Sequence, residues 1–360
     1  MMDLLKFSSL GPQRTATFFQ LRKSVIFSSA IIIFVLGFIS CGQTPEKYVK
    51  NSNAGGALGT SYSIIYIADR PLDYQKEIDS VFAVVNQSLS TYIPTSDISR
   101  INKGETGVTV DEMFREVFDL SKKINAHTEG YFDPTVGIMV NAWGFGPGKK
   151  VEMDSVTVDS LMQFVGLDKV SITPENRIEK QYPNTYLDFN AIAKGYAIDR
   201  LARMMDEKGV KEYLLEVGGE LVGKGINRIK QKPWVVGIDD PQAETGRRLK
   251  ILIQLEDKAL ASSGNYRKFR IDSVTGKKYV HTIDPKTGYT KNASTLGVTV
   301  LANACATADA YATAFMAMPL DKVKEILAAE KALEAYIIYL DEEGNTQEFM
   351  TQGFQKLVVN

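Results

Sequence analysis

The sequence predicts an α+β protein in which antiparallel and mixed sheets pack against helices as one compact unit. Helical and strand-like segments are interspersed without the regular strand–helix–strand alternation of a parallel α/β sheet. Several strand-like segments are separated by short turns that contain glycine, as in antiparallel hairpins. The chain of 360 residues is 44% hydrophobic, which is enough apolar surface for one large core, and it contains no internal repeat.

Hydrophobic periodicity predicts the individual elements along the chain. Helical spacing is found at residues 73–89, from Asp111 to a point before Gly130, and at 158–165, 192–208, 302–318 and 320–329. Strand-like runs are found at residues 61–67, 170–172, 185–187, 212–217, 221–225, 234–238, 249–255, 295–301, 335–340 and near 355–359. Residues 267–272 and 277–283 are predicted to pair as a hairpin.

The N-terminus has the features of an export signal. Basic residues precede an apolar run over residues 25–39, which is shorter than the ~20 residues of a membrane-spanning helix. The run is followed by Cys41, which resembles the lipidated cysteine of bacterial lipoproteins. We predict a signal peptide at residues 1–40, a lipidated cysteine with a flexible tether at 41–56, and a folded domain at 57–360. An uncleaved membrane anchor is the alternative. Either way the domain is expected to be exported and held at the periplasmic side of a bacterial membrane.

Charge and cysteine content exclude several classes of protein. The net charge of −1 argues against nucleic acid as a partner, because nucleic-acid-binding proteins usually carry a basic excess. If Cys41 carries lipid, Cys305 is the only thiol left and no intrachain disulfide can form. A structural zinc site is also excluded, since only His127 and His281 accompany that thiol. Cys305 is predicted to be a small core residue.

An alanine-rich helix at residues 302–318 is the best candidate for the centre of a site. It contains one acid, Asp309, and Thr313 follows four residues later on the same face. A carboxylate and a hydroxyl suit a hard cation such as Mg²⁺, which takes few protein ligands and fills its octahedron with water and phosphate oxygens. The alternative is a buried aspartate that only caps or bonds within a packed helix.

Two glycine-bearing loops are candidates for ligand contact. In residues 130–137, aromatic side chains beside glycines could present ring faces to a planar ligand, or could simply anchor the turn to the core. In residues 188–195, a strand ends at Asp188 and a helix begins, so its free N–H groups and Lys194 could bind a phosphate. Asp199 and Arg200, further along this helix, are predicted to be a solvated pair.

Other turns are weaker candidates. The paired glycines 218–219 mark a sharp bend or a close approach to a ligand, and residues 261–266 look like a similar polar turn. Residues 281–288 combine His281 with the turn signature Asp-Pro-Lys-Thr-Gly. A structural role for His281 stands beside phosphate contact or proton transfer.

Taken in order, these segments resemble the ApbE family of flavin transferases over nearly the whole mature chain. The matching blocks are LGT at 58–60, LSTY at 89–92, SRIN at 99–102, FDPTVG at 132–137, WGFG at 143–146, DFNAIAKGYA at 188–197, GG at 218–219, SGNY at 263–266, HTIDPKTG at 281–288 and ADA at 308–310.

The resemblance implies a mixed α+β fold, FAD as substrate, Mg²⁺ at its diphosphate, and transfer of FMN to a Thr or Ser hydroxyl of an acceptor protein with release of AMP. It implies metal ligands at Asp309, Thr313 and the Ala191 carbonyl, and catalytic roles for Asp309 and His281. FAD contacts are implied for Leu58, Tyr92, Tyr131, Phe132, Asp133, Asp188, Lys194 and Ile283. The implied acceptor is a subunit of a membrane-bound redox complex, and a lipid anchor at Cys41 is common in the family.

Three positions depart from the family pattern or vary within it. Many relatives carry methionine at the position of Leu58, a change of similar volume. Some carry aspartate at the position of Ala312, so the cation here has one carboxylate fewer. Tyr92 occupies a position where some relatives carry a residue associated with FAD hydrolysis, and an aromatic side chain there favours transfer.

Two other functions remain compatible with the same residues. The first is an Mg²⁺-dependent FAD diphosphatase, in which water replaces the acceptor hydroxyl and the products are FMN and AMP. The second is a flavin-binding lipoprotein without turnover, which would not need a metal at the diphosphate. Asp309 and Thr313 argue against this second function, and only Tyr92 argues against the first.

Overall fold

A large antiparallel sheet organises the fold, known from a computed structural model that describes residues 48–243, 248–264, 269–271, 278–280, 282–291 and 294–359. The strands are β1 (Val49–Ala57), β2 (Thr60–Ala68), β3 (Val170–Ile172), β4 (Ile178–Lys180), β5 (Glu212–Val217), β6 (Glu220–Lys224), β7 (Ile226–Asn227), β8 (Lys232–Asp239), β9 (Leu249–Leu255), β10 (Lys258–Gly264), β11 (Phe269–Ile271), β12 (Lys278–Val280), β13 (Thr295–Ala302), β14 (Glu334–Leu340) and β15 (Thr346–Met350). The helices are α1 (Gln75–Leu89), α2 (Asp97–Asn102), α3 (Glu112–His127), α4 (Gly137–Ala142), α5 (Ser155–Met162), α6 (Ala193–Glu207), α7 (Cys305–Ala317), α8 (Leu320–Ala329) and α9 (Gln352–Gln355), with a short 3₁₀ turn at Leu167–Lys169.

The main sheet has eight strands in the order β1–β2–β5–β6–β10–β13–β14–β15. Neighbouring strands in it are antiparallel, and smaller sheets are formed by β7–β8–β9, by β3–β4 and by β11–β12. This arrangement confirms the predicted α+β class and the predicted hairpin, seen as β11 and β12.

Helix α7 lies on the centre of the sheet, against β10 and β13, and it also packs against α6. Only Thr307 and Thr313 of its residues are not buried. Its alanines permit this because small side chains let the helix axis approach the strands closely. The sequence therefore places a helix with few polar groups at the point where the sheet and α6 meet.

The opposite face of the sheet is covered by a second apolar cluster. Leu260 of β10 and Leu301 of β13 point into it, whereas Ala259 and Ala261 point to the face that carries α7. The inward side chains of β8 and β9 and Phe354 of α9 complete the cluster. Because β10 and β13 are covered on both faces, they form the rigid support beneath the site helix.

The structure corrects four predicted elements. Residues 49–56, predicted as part of a flexible tether, form most of β1, because every residue of that strand pairs with β2. Residues 258–264 form the central strand β10, although 261–266 had the composition of a turn. Near the C-terminus, β15 was not predicted, and the strand expected near 355–359 is replaced by α9 followed by one bridge from Val358 to Ile253. Residues 185–187 contribute only a bridge from Tyr186.

Other predictions are confirmed with little change. Strands β5 and β9 and helix α8 have the predicted bounds. Asp111 caps α3 as expected, since its side chain accepts a hydrogen bond from the N–H of Phe114 at 2.8 Å. In the part of the chain that the structure describes, no helix combines the length and the apolar character needed to cross a bilayer.

Candidate active site

Asp309 lies at the contact between α6 and α7. It is only 4% exposed, and one carboxylate oxygen accepts a hydrogen bond of 3.1 Å from the N–H of Gly195 in the first turn of α6. The first N–H groups of a helix have no partner within the helix, so Asp309 caps its neighbour rather than its own helix. Asp309 is thus a buried cap, but for α6 and not within its own helix as the alternative expected, and among the described residues only one of its oxygens accepts a hydrogen bond.

Gly195 allows the two helices to touch. A Cβ atom built on Gly195 would lie 2.4 Å from the carbonyl oxygen of Cys305 and 2.8 Å from the nitrogen of Ala306. These neighbours are backbone atoms at the start of α7 and cannot rotate away. A glycine is therefore required here for close approach, and this approach brings Asp309 within reach of α6.

Lys194 and Glu220 form an ion pair beside Asp309. The ammonium lies 2.5 Å from one oxygen of Glu220, which is 2% exposed. Burial by itself would lower the pKa of Lys194, but the charges of Asp309 and Glu220 raise it above its ordinary value. Burial raises the pKa of the Asp309 carboxyl, with Lys194 opposing that change. Within the described residues, the other oxygen of Glu220 is buried and has no hydrogen-bond partner.

The proposed cation ligands near Asp309 are oxygen donors of the kind that hard cations prefer. Thr313 lies one helical turn after Asp309, and its hydroxyl is 3.4 Å from that of Ser263 on β10. The loop that contains Ala191 leads directly into the first turn of α6, where Asp309 is bonded. Over the described ranges, no three His, Cys, Asp or Glu side chains cluster as metal ligands. A set of one carboxylate, a hydroxyl and a carbonyl would leave positions for water and phosphate oxygens, as Mg²⁺ prefers.

Asp188, just before the start of α6, connects that helix to the loop at 130–137. Its N–H donates to the carbonyl of Pro134 at 2.8 Å, and a Cβ on Gly137 would lie 2.6 Å from the Asp188 Cβ. Burial raises the pKa of the Asp188 carboxyl, while a hydrogen bond from the N–H of Asn190 partly opposes it. The two loops that the sequence singled out are therefore adjacent in space.

The aromatic loop residues differ in what they can offer a ligand. Phe132 is buried in the main core, whereas Tyr131 lies under the ammonium groups of Lys286 and Lys291, 5.7 and 5.6 Å from its ring centre. The carboxylate of Asp133 accepts hydrogen bonds from the N–H and hydroxyl of Thr135 and from the N–H of Leu167. Its side chain therefore supports the turn.

The loop at 282–288 packs against α4 and the residue that follows it. Ile283 is buried with Met139 and Trp143, and the indole N–H of Trp143 donates to the carbonyl of Gly288 at 2.8 Å. Trp143 therefore anchors the end of α4 to this loop. His281 lies outside the described residues, as does Cys41.

Two further predicted contacts lie at turns, one half-buried and one exposed. Leu58 has φ = 53° in the two-residue turn between β1 and β2, a conformation that a bulky side chain rarely adopts. Tyr92 is 59% exposed, and it follows Thr91, whose hydroxyl accepts a hydrogen bond from the Asn190 side chain at 3.3 Å. Tyr92 thus lies next to the loop at 188–195 with its ring open to solvent. The paired glycines 218–219 form the tight turn between β5 and β6.

The sequence analysis did not identify several residues that contact the site in the fold but lie far from it along the chain. The side chain of Asn102 bonds both the N–H and the carbonyl of Leu187 at 2.8 Å, and so holds the segment before Asp188. The prediction that Asp199 is solvated was wrong, because its carboxylate accepts hydrogen bonds from the start of α7 and burial raises its pKa to about 6. Asn102 lies within a family-like block, but no local pattern marks Asp199 or Glu220.

Known proteins of one family match this chain over most of its length. A model of the ApbE family matches residues 58–337. The chain is 32% identical over 352 residues to the FAD:protein FMN transferase of Haemophilus influenzae, covering 93% of this chain and 98% of that protein. It is 30% identical to the FAD:protein FMN transferase of Escherichia coli K12, covering 92% and 97%.

Solved structures show the same fold. The flavin transferase ApbE from Vibrio cholerae superposes with a TM-score of 0.76 at 32% identity, covering 87% of this chain and 100% of that one. The flavinyl transferase ApbE of Pseudomonas stutzeri in its apo form gives 0.74 at 27% identity, covering 86% and 97%. Since the family model spans most of the chain and the relatives match over nearly their full length, the chain belongs to the ApbE family.

Proposed function

We propose that this protein transfers FMN from FAD to a Thr or Ser hydroxyl of an acceptor protein, releasing AMP, in a reaction that requires Mg²⁺. The observation that carries the proposal is the buried Asp309. Its carboxylate is held by Gly195 beside Lys194 in a chain that matches FAD:protein FMN transferases over most of its length. A binding protein without turnover would not need a metal at the diphosphate, for which Asp309 and Thr313 are the proposed ligands.

The reaction exchanges one phosphorus–oxygen bond for another. The acceptor hydroxyl oxygen bonds to the FMN phosphorus, the bond from that phosphorus to the bridging oxygen breaks, and AMP leaves with the bridging oxygen while the hydroxyl loses its proton. The protein has mainly to align the hydroxyl with the phosphorus and to stabilise charge on the phosphoryl oxygens and on AMP. Bound at Asp309, Thr313 and the Ala191 carbonyl, Mg²⁺ would supply positive charge at the diphosphate.

The residues around the metal position have separate tasks. Lys194 is held as a cation by Asp309 and Glu220, and we propose that it neutralises phosphoryl oxygens. The exposed ring of Tyr92 and the turn at Leu58 are proposed to contact FAD, together with Tyr131, Phe132, Asp133, Asp188 and Ile283. The basic pair around Tyr131 adds positive charge to that side of the site.

His281 is proposed to take up the proton of the acceptor hydroxyl. It is two residues before the buried Ile283 in the loop that packs on Trp143. The change His281→Ala is expected to slow labelling of the acceptor by about a hundredfold or more, the usual contribution of a general base. The rate should be measured at saturating FAD and Mg²⁺. An unchanged rate would remove His281 from the mechanism, and an effect on FAD affinity alone would indicate phosphate binding instead.

We further propose that the protein is exported and attached by lipid at Cys41 to the periplasmic side of a bacterial membrane, where its acceptor is a subunit of a membrane redox complex. The basic and apolar N-terminal segment that ends before Cys41 supports export. Metabolic labelling with a radioactive fatty acid should mark the wild-type protein, and Cys41→Ser should abolish the label.

One assay distinguishes transfer from the other two functions. The protein is mixed with FAD, Mg²⁺ and a flavin-acceptor domain, and the products are separated on a denaturing gel and by chromatography. Covalent fluorescence on the acceptor together with free AMP is the expected result. Free FMN and AMP without labelling would identify an FAD diphosphatase, while intact FAD without products would identify a flavin carrier.

A further inference from the structure

Asp199 connects α6 to the beginning of α7. Its two carboxylate oxygens accept hydrogen bonds from the N–H groups of Cys305 at 2.7 Å and Ala306 at 2.8 Å, which are the first two residues of α7. The residue before them, Ala304, has no side chain that can cap the helix. The cap that α7 lacks in its own sequence is therefore supplied by a different helix.

The two helices cap each other. Asp199 of α6 bonds the start of α7, and Asp309 of α7 bonds the N–H of Gly195 at the start of α6. Gly195 and Asp199 are one turn apart on α6, and Cys305 and Asp309 are one turn apart on α7. These two pairs of contacts fix how far one helix can slide along the other, and the backbone contact at Gly195 fixes their separation.

We propose that Asp199 is a positioning residue for the reaction: it holds α7 in register with α6 so that the Asp309 carboxylate and the Thr313 hydroxyl face the Ala191 loop. This inference rests on the proposed function. Both oxygens of Asp199 are engaged by backbone N–H groups, so it acts through α7 and does not touch the substrate. Residues that orient metal ligands in this way affect metal affinity strongly.

The test compares magnesium binding in the full-length protein and in Asp199→Asn. The asparagine side chain has the same shape but only one acceptor oxygen, so it can retain one of the two bonds to α7. Mg²⁺ is titrated calorimetrically into the FAD-loaded protein without any acceptor. We expect the Mg²⁺ concentration at half-saturation to rise by about 10- to 100-fold in Asp199→Asn. Unchanged magnesium binding in this variant would overturn the inference.

A matched control lies on the same helix. Asp206 accepts hydrogen bonds from the hydroxyl of Tyr213 at 3.1 Å and the ammonium of Lys224 at 2.6 Å, so it links α6 to β5 and β6 rather than to α7. Asp206→Asn is expected to lower the unfolding temperature while leaving magnesium binding unchanged. A weakening of magnesium binding equal to that of Asp199→Asn would show that general loosening of α6 is sufficient, and would contradict a specific role for Asp199.

A second variant separates capping from positioning. Ala304→Ser provides α7 with a cap from its own chain, because Ala304 already has the extended conformation of an N-cap. Added to Asp199→Asn, it should restore the unfolding temperature without restoring magnesium binding, since the link to α6 stays weakened. Recovery of both would show that Asp199 is only a cap. If the wild-type protein itself does not respond to Mg²⁺, the proposed function is lost along with the inference.

Discussion

Replacement of Asp309 by alanine is expected to reduce FMN transfer by about a thousandfold or more, because the site loses the only carboxylate proposed to hold Mg²⁺ at the diphosphate. Excess Mg²⁺ should not restore the rate. The measurement is the initial rate of covalent flavin fluorescence appearing on the acceptor. The loss of the cap on Gly195 is a separate, smaller effect, about 1 kcal/mol of stability.

Two companion variants separate charge from structure. Asp309→Asn keeps an oxygen for the Gly195 N–H but has no charge, so it should be folded and as inactive as the alanine variant. At Thr313, serine keeps a hydroxyl and should retain most of the activity, whereas valine has a similar shape without one and should lose most of it. Undiminished labelling by Asp309→Ala, with FAD binding intact, would refute the metal assignment.

Replacement of Gly195 by alanine is expected to have the largest structural effect of any single methyl group in the site. The added Cβ would lie 2.4 Å from the carbonyl oxygen and 2.6 Å from the carbonyl carbon of Cys305, so α6 and α7 must move apart. Overpacking of this kind costs about 1–3 kcal/mol of unfolding free energy. Displacement of Asp309 by about 1 Å can reduce the rate by about a hundredfold.

The control for this variant is Gly56→Ala on β1. Its added Cβ would lie 3.7 Å from the carbonyl oxygen of Thr60, an ordinary contact distance. Denaturant unfolding and the transfer rate are measured for both variants. A Gly195→Ala protein as stable and as active as Gly56→Ala would show that the two helices need no close approach.

The site helix could be predicted because its signal is local. A single acid in an alanine-rich segment identified Asp309, and the same composition explains why α7 can be buried against β10 and β13. The start of α6 was likewise visible as helical periodicity after Asp188, although the strand predicted before it contributes only a bridge. These features depend on residues close together in the sequence.

The features that were missed depend on residues far apart in the sequence. Ser263 and Gly264 look like part of a turn, yet they belong to a central strand, where the Ser263 hydroxyl lies 3.4 Å from that of Thr313 on α7. Asp199 looks like a surface acid beside Arg200, and only the folded chain brings it to the first turn of α7. The order of the eight strands is set by pairings across long separations, which periodicity does not encode.

The most direct test of this account is a crystal structure of the protein with FAD and Mg²⁺. We expect an ion about 2.1 Å from an Asp309 oxygen and from the Thr313 hydroxyl, bonded to the FAD diphosphate, with Lys194 beside the same phosphates. A diphosphate bound elsewhere, with Asp309 contacting only Gly195 and no ion beside it, would contradict the account.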